Sequence, residues 1–219
     1  KAANFIILNA SKTPTDETSM KQAIGQAKFW RAYAYFTLVR IFGDIPLTLD
    51  NENDDFTMTP SSVEKVYEQI VADLTSEECE SLPESYKDAP AFMNGVNVTK
   101  AALQSTRAAV YMAMAGWPLE KGASYYAKAA EEAKKVIEGA QNGTYDIRMD
   151  DNYYDVYAMS NNYNKETILR MWTGYRIHSL LPVISLNQSA DGEMHGEKSV
   201  SGRDSLKDLV RMPSMIRRF

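Results

Sequence analysis

The sequence predicts a mainly α-helical protein, arranged as antiparallel helical pairs with irregular loops and little strand. Three observations predict it. Apolar residues recur at helical spacing through four separate stretches. Glycine and proline mark the ends of those stretches. Small residues line one face of several of them, which allows helices to approach closely.

The opening "AANFIILNA" reads as a short helix, followed by the turn-rich "SKTPTDETS". From about Glu17 to Phe42 the pattern is that of one long helix. Ala23, Ala27 and Ala34 offer close approach to a neighbour. Phe29, Tyr33 and Phe36 run at i, i+4 and i+7, widened by Trp30 and Val39. Gly43 is the expected stop, and Pro46 prevents resumption. "DNENDDFT" is then a charged loop.

"TPSSVEKVYEQIVADLTSEECESLP" carries its own start signal, because Ser61 and Glu64 have capping-box spacing behind Pro60. Val63, Val66, Tyr67, Ile70, Val71 and Leu74 complete an amphipathic stripe whose burial contributes about 10 kcal/mol at most. Pro83 closes this element.

Thr99 caps the next predicted helix, which runs to about Ala115. Its face of Ala102, Thr106, Ala109, Ala113 and Gly116 is small. After "WPLEKGAS" comes "YYAKAAEEAKKVIEG", with an expected buried stripe of Tyr126, Ala129, Ala130, Ala133, Val136 and Ile137. Lys128 with Glu132 and Glu131 with Lys135 are expected on the outer face. Two antiparallel helices touching through small side chains are the tetratricopeptide arrangement. The helices at 17–42 and 60–80 form another, degenerate pair, without a strict sequence period. From Gly143 the helical period is lost, and "ETILRMW" reads as a short strand. "SLNQSADGEMHGEKSVSGRDS" reads as an extended polar loop.

The 219 residues, 44% hydrophobic and 24% charged, suit one large globular domain. Cys79 is the only cysteine, so no intrachain disulfide is available. A net charge of -5 argues against a nucleic-acid partner. No apolar run approaches the roughly 20 residues that span a bilayer. The chain opens on Lys1 without a signal-peptide pattern and halts at Phe219 within "SLKDLVRMPSMIRRF", so a processed or excised piece is expected.

Several blocks resemble a known family. "AKFWRAYAYFTLVRIFGDIPL" resembles the signature helix of the SusD/RagB family, in which an Arg-Ala-Tyr helix runs into Phe-Gly-Asp-x-Pro. "TPSSVEKVYEQIVADLTSEECESLP" resembles its Ser-Val-x-x-Val-Tyr helix. "VTKAALQSTRAAVYMAMAG" with "YYAKAAEEAKKVIEG" and "TYDI" resembles the following helical pair. "NKETILRMW" and "NFIILNA" resemble two further blocks. All five stand in family order across about residues 3–172.

The resemblance implies a SusD-like α-α superhelix and a lipid-anchored outer-membrane protein of the cell surface. It implies capture of oligosaccharides, less often peptides, for a SusC-like TonB-dependent transporter. It implies no catalysis and no cofactor. Family members are longer, with an N-terminal lipid-bearing cysteine absent from this chain. The reading treats 1–219 as a single SusD-like domain, with a helical scaffold over about 3–140 and a loop-rich ligand side over 141–219.

The aromatics of residues 27–47 circle their helix, which suits burial on several sides and makes them scaffold. Arg31 among them is expected to be partly buried against a carboxylate. The better site is the Tyr- and Asn-rich segment from Tyr145 to Tyr175. Sugars present flat C–H faces rimmed by hydroxyls, so a binder needs rings with polar tips and amides beside them. Tyr153, Tyr154, Trp172, Tyr175 and His178 are the candidate glycan-binding residues. Tyr157, Tyr163 and Asn152, Asn161, Asn162 and Asn164 supply similar chemistry. Packing of these loops against the scaffold is the competing explanation.

Asp50, Glu52 and Asp54 alternate as in a calcium loop but lack its turn glycine and bidentate glutamate. Asp191, Glu193, His195 and Glu197 lack a second histidine or cysteine at zinc-site spacing. Both read as solvated acidic loops. No nucleophile elbow, zincin, phosphate-loop or dinucleotide motif is present. The rival functions are a peptide-binding or protein-partner scaffold and, with less support, a carbohydrate-active enzyme.

Overall fold

The computed structural model describes residues 1–50, 58–85, 98–157 and 164–169. They fall into two compact units, one described through residues of 1–148 with 167–169, and a second described through residues 149–157 and 164–166.

In the first unit α1 (Ala2–Asn9) leads through a 3-10 turn (Ala10–Lys12) into α2 (Glu17–Phe42). Asp16 starts α2 by accepting the Ser19 N–H, which also holds the Asp16 carboxyl below its usual range. Gly43 stops it with φ 71, donating its N–H to the Val39 carbonyl. The sequence places both ends of α2 correctly, and its Gly43 stop is a local signal.

The next boundary follows a longer-range contact. Ser61 does not cap the helix. It pairs with Ile45 in an isolated antiparallel bridge, with N–H to carbonyl distances of 2.9 and 3.2 Å. Ser62 is the cap of α3 (Val63–Leu74), and the Asp44 carboxylate takes the Val63 N–H at 2.9 Å. The expected single helix over 60–80 is also divided. After Leu74 the chain restarts on a new cap, Ser76, as the one-turn α4 (Glu77–Glu80).

Helix α2 runs antiparallel to α3 and α4. Along it, Lys28 meets Glu78, Arg31 meets Asp73 and Phe36 meets Tyr67, so rising numbers on one side meet falling numbers on the other. The backbones approach closely at Gly25. A methyl group there would lie 2.2 Å from the Glu78 carbonyl oxygen. Of the three alanines expected to permit close approach, only Ala27 is buried; Ala23 and Ala34 face outward.

Thr99 caps α5 (Lys100–Ala115), as the sequence predicts, and α6 (Ala123–Gln141) folds back on it. Arg107 against Glu132, Tyr111 against Tyr125 and Gln104 against Tyr145 set that antiparallel order. Arg107 also reaches Glu80, and Lys121 pairs with Glu64, so α5 lies antiparallel to α3 and α4. Direction therefore alternates from α2 to α3 with α4, to α5 and to α6, the α-α arrangement the sequence predicts. Among the described residues there is no strand; Glu166–Leu169, the described part of the expected strand, is not one. Phe29, Phe36, Val66, Ile70, Leu74, Leu82, Leu103 and Val110 form one continuous core.

The buried face of α6 differs from the expected stripe. Ala129, Glu132, Val136 and Gly139 are buried, whereas Tyr126, Ala130 and Ile137 are exposed. Glu132 faces inward because Arg107 waits there, 3.0 Å away, with Lys135 2.7 Å from its other oxygen. Lys128 lies over the Tyr125 and Tyr111 rings instead of pairing with Glu132.

Asp73→Ala strands a buried guanidinium and is expected to cost about 3–5 kcal/mol in urea unfolding. Glu17→Ala, at an exposed pair, is expected to stay within about 0.5 kcal/mol. Gly25→Ala forces α2 and α4 apart and should cost at least about 2 kcal/mol in the same assay.

Cys79 is fully buried, with its Sγ donating to the Gly25 carbonyl at 3.3 Å, and desolvation pushes its thiol from 9.0 to about 11. It is expected to resist a thiol reagent at pH 8 until urea unfolds the chain. The unfolded thiol releases its proton first as pH rises, so this contribution to stability is complete below about pH 9 and declines through about pH 11. A midpoint rising across that window in Cys79→Ser relative to the parent would contradict nothing else but would confirm this linkage; unchanged relative midpoints would refute it.

Candidate glycan-binding surface

The second unit carries the aromatic surface. Helix α7 (Tyr153–Val156) is a single turn started by Asn152, whose Oδ1 accepts the Tyr154 N–H at 3.2 Å. Asn164 Nδ2 donates to the Val156 carbonyl at 3.2 Å and fastens the end of the turn. Glu166 Oε2 accepts the Asp150 N–H at 2.9 Å and fastens the approach to it. Two of the asparagines expected beside a ligand are thus engaged in shaping the turn.

On this turn the rings of Tyr153, Tyr154 and Tyr157 stand in solvent, 69%, 80% and 71% exposed. Tyr153 meets Tyr154 edge to face, with centroids 5.9 Å apart, and meets Tyr157 at 5.2 Å. Edge-to-face contacts fix each ring while leaving outward π-faces uncovered. The Tyr157 hydroxyl titrates above its ordinary range, first because of its hydrogen bond with Tyr153, then that group's charge, burial and the Glu166 charge. Phenol hydroxyls of this kind both donate and accept hydrogen bonds.

The structure thus brings together Tyr153 and Tyr154 of the sequence-predicted set, and joins Tyr157 to them. Trp172, Tyr175 and His178 lie outside the described residues, as do Tyr163, Asn161 and Asn162. The sequence reading did not single out Glu166. It falls in the segment the sequence predicts as strand, and its role depends on a backbone N–H sixteen residues away.

The aromatics of residues 27–47 are placed differently. Phe29 and Phe36 are buried, and Trp30, Tyr33 and Tyr35 pack on the same core; Phe42 at the helix end is exposed. Among the described residues, no group of three or more His, Cys, Asp or Glu side chains is placed to hold a metal ion. Glu52 and Asp54, and the segment from Asp191 to Glu197, lie outside them. Among the described residues no helix is long and apolar enough to cross a membrane.

Comparison with known proteins extends the reading. Residues 2–112 match the family model SusD-like_3, described as starch-binding and associating with the outer membrane. A SusD-like protein P2 of Formosa agariphila is 32% identical over 160 residues, covering 71% of this chain and 28% of that protein. A solved SusD-superfamily structure from Parabacteroides distasonis is 26% identical with a TM-score of 0.68, covering 80% of this chain and 35% of that one. A crystal structure with xylogluco-oligosaccharide is 28% identical with a TM-score of 0.65, over 78% of this chain and 33% of that one. The chain therefore spans about a third of the length of the relatives it matches.

Gly139→Ala places a methyl group 2.3 Å from the Tyr145 ring and tests how that ring holds the end of the scaffold. It is expected to lower urea stability by about 1–3 kcal/mol. The helices, their alternating order and a family match covering more than half of the sequence converge: this chain belongs to the SusD-like family.

Proposed function

We propose that this protein captures oligosaccharides at the bacterial cell surface and passes them to a SusC-like TonB-dependent transporter. Family membership supports this reading, and so does the related structure with xylogluco-oligosaccharide. The observation on this chain that carries it is the exposed ring cluster of Tyr153, Tyr154 and Tyr157. Aromatic faces stack on sugar C–H faces, and phenol hydroxyls bond the hydroxyl rim. Trp172, Tyr175 and His178 complete the proposed binding surface, with about 3–140 as scaffold and 141–219 as its ligand side.

Stacking and neutral hydrogen bonds give weak, reversible capture, on the order of micromolar to millimolar and so about -8 to -4 kcal/mol. Such affinity suits release to a transporter. The reading assigns no catalytic residue and no cofactor, and places the protein at the outer membrane through a lipid on the full-length chain. A second reading, a scaffold for a protein or peptide partner, draws on exposed Leu38, Ile41 and Phe42 at the end of α2.

Native affinity electrophoresis in gels cast with individual glycans tests both, with the same mixtures assayed for cleavage products. Retardation without product is the expected result. Tyr153→Ala and Tyr154→Ala should each weaken it by up to about tenfold without moving the unfolding midpoint, because both rings are exposed. Trp172→Ala should weaken it likewise. Product release overturns the non-enzymatic reading. Failure of every glycan to retard the protein favours the protein or peptide partner.

A further inference from the structure

The turn between α5 and α6, in the first unit, presents aromatic rings that the scaffold does not use. Trp117 stands there 84% exposed, and Tyr126, expected in the buried stripe of α6, is 52% exposed. A Cβ on Gly116 would lie 3.6 Å from the Tyr126 hydroxyl oxygen, so the phenol tip sits beside the residue that precedes the indole. Among the described residues no hydrogen bond engages the Trp117 indole N–H or that hydroxyl. The turn itself is firmly built. The Glu120 N–H donates to the Gly116 carbonyl at 2.7 Å, the Lys121 N–H to that of Met114 at 3.0 Å and the Gly122 N–H to that of Ala115 at 3.1 Å. Lys121 also pairs with Glu64 on α3. Glu120 takes φ 49, a left-handed conformation that residues other than glycine seldom adopt. From this turn Leu119 packs on the core, whereas the larger Trp117 ring points to solvent. Hydrophobic burial accounts for Leu119 and not for Trp117.

We propose that Trp117, with the Tyr126 hydroxyl beside it, is a second glycan contact, distinct from the tyrosine cluster of the other unit; this rests on the glycan-binding reading above. An indole offers a broad flat face to a sugar C–H face, and its N–H and the phenol serve the hydroxyl rim. A protein interface buries about 800 Å² per partner around an apolar centre. Here Glu120, Lys121 and Ser124 are exposed in or beside the turn, so polar side chains border the ring and the contact has the scale of a sugar. A polysaccharide repeats the same face along its length, so its retention reads every such contact on the protein.

Affinity electrophoresis in gels cast with xyloglucan or with starch tests this, beside hydroxyl-radical footprinting of the same protein. Trp117 should label strongly in the free protein and markedly less with whichever polysaccharide retards it. Trp117→Ala should weaken that retardation by roughly three- to tenfold, and Trp117→Phe by less, with the unfolding midpoint unmoved. Trp117→Ala combined with Tyr154→Ala should weaken it more than either change alone. Retardation indifferent to Trp117→Ala overturns the inference and leaves the tyrosine-cluster reading intact, and loss of a protein partner in that variant would then assign the turn to protein contact. Labelling of Trp117 that the polysaccharide does not change, or a Trp117 already shielded in the free protein, overturns it equally. So does a lowered midpoint in both Trp117 variants, which makes the ring structural. Retardation of the parent by neither polysaccharide counts against the glycan-binding reading itself and removes this inference with it.

Discussion

The guanidinium of Arg31 ties together parts of the chain that are far apart in sequence. Its Nε and Nη2 donate to the two oxygens of Asp73 on α3, at 2.8 and 2.6 Å, and its Nη1 donates to Asn4 Oδ1 on α1. Asn4 passes the connection on, donating to the carbonyls of Thr48 and Asp50, while Gln69 donates to Asp73. Tyr35 closes the circuit, its hydroxyl bonding both the N–H and the carbonyl of Thr48. A buried charge demands such complete pairing. With Arg31 and Asp73 side chains only 10% and 4% exposed, α1, α2, α3 and the segment after α2 are held in one register.

The rest of the scaffold follows from that register. Once α2 and α3 are aligned, α4 comes down on Gly25, where only a residue without a side chain admits the Glu78 carbonyl. The α4 end then offers Glu80 to Arg107, whose other partner, Glu132, turns α6 onto α5. At the far end of that pair the Tyr145 ring lies on Gly139 and its hydroxyl donates to Gln104 at 2.9 Å. Two buried arginines, each shared between elements, thus do for this helical array what hydrophobic contact alone leaves undetermined. Apolar packing drives the helices together, whereas the ion pairs discriminate among the ways they could slide.

The proposed binding surface is built on a different principle. Phe29, Trp30, Tyr33, Tyr35 and Phe36 pack on the scaffold core, whereas the tyrosines of the proposed surface stand exposed on and beside a turn of four residues. Among the described residues that turn is fastened by side chains of Asn152, Asn164 and Glu166. Presenting rings on a short, hydrogen-bonded turn lets ligand contacts vary without disturbing helix packing, which fits a family whose common feature is its scaffold.

Local signals were legible in the sequence and were decisive wherever a boundary depends on its own neighbours. Gly43 ends α2, Thr99 starts α5, and the apolar stripe of α3 turns inward as its spacing requires. The tyrosine-rich character of residues 152–157 was legible too. Choices between locally equivalent residues were not. Ser61 and Ser62 both suit a cap, and the bridge to Ile45 takes the first. Helix α6 offers two acceptable faces, and the inward one includes Glu132 because Arg107 is already buried opposite it. Composition and period therefore determined where the main helices lie and marked the tyrosines of residues 153–157 as candidates. Tertiary structure decided the facing of α6, the partners of each buried charge and the fastening of α7, because each depends on a group that sequence spacing cannot bring near.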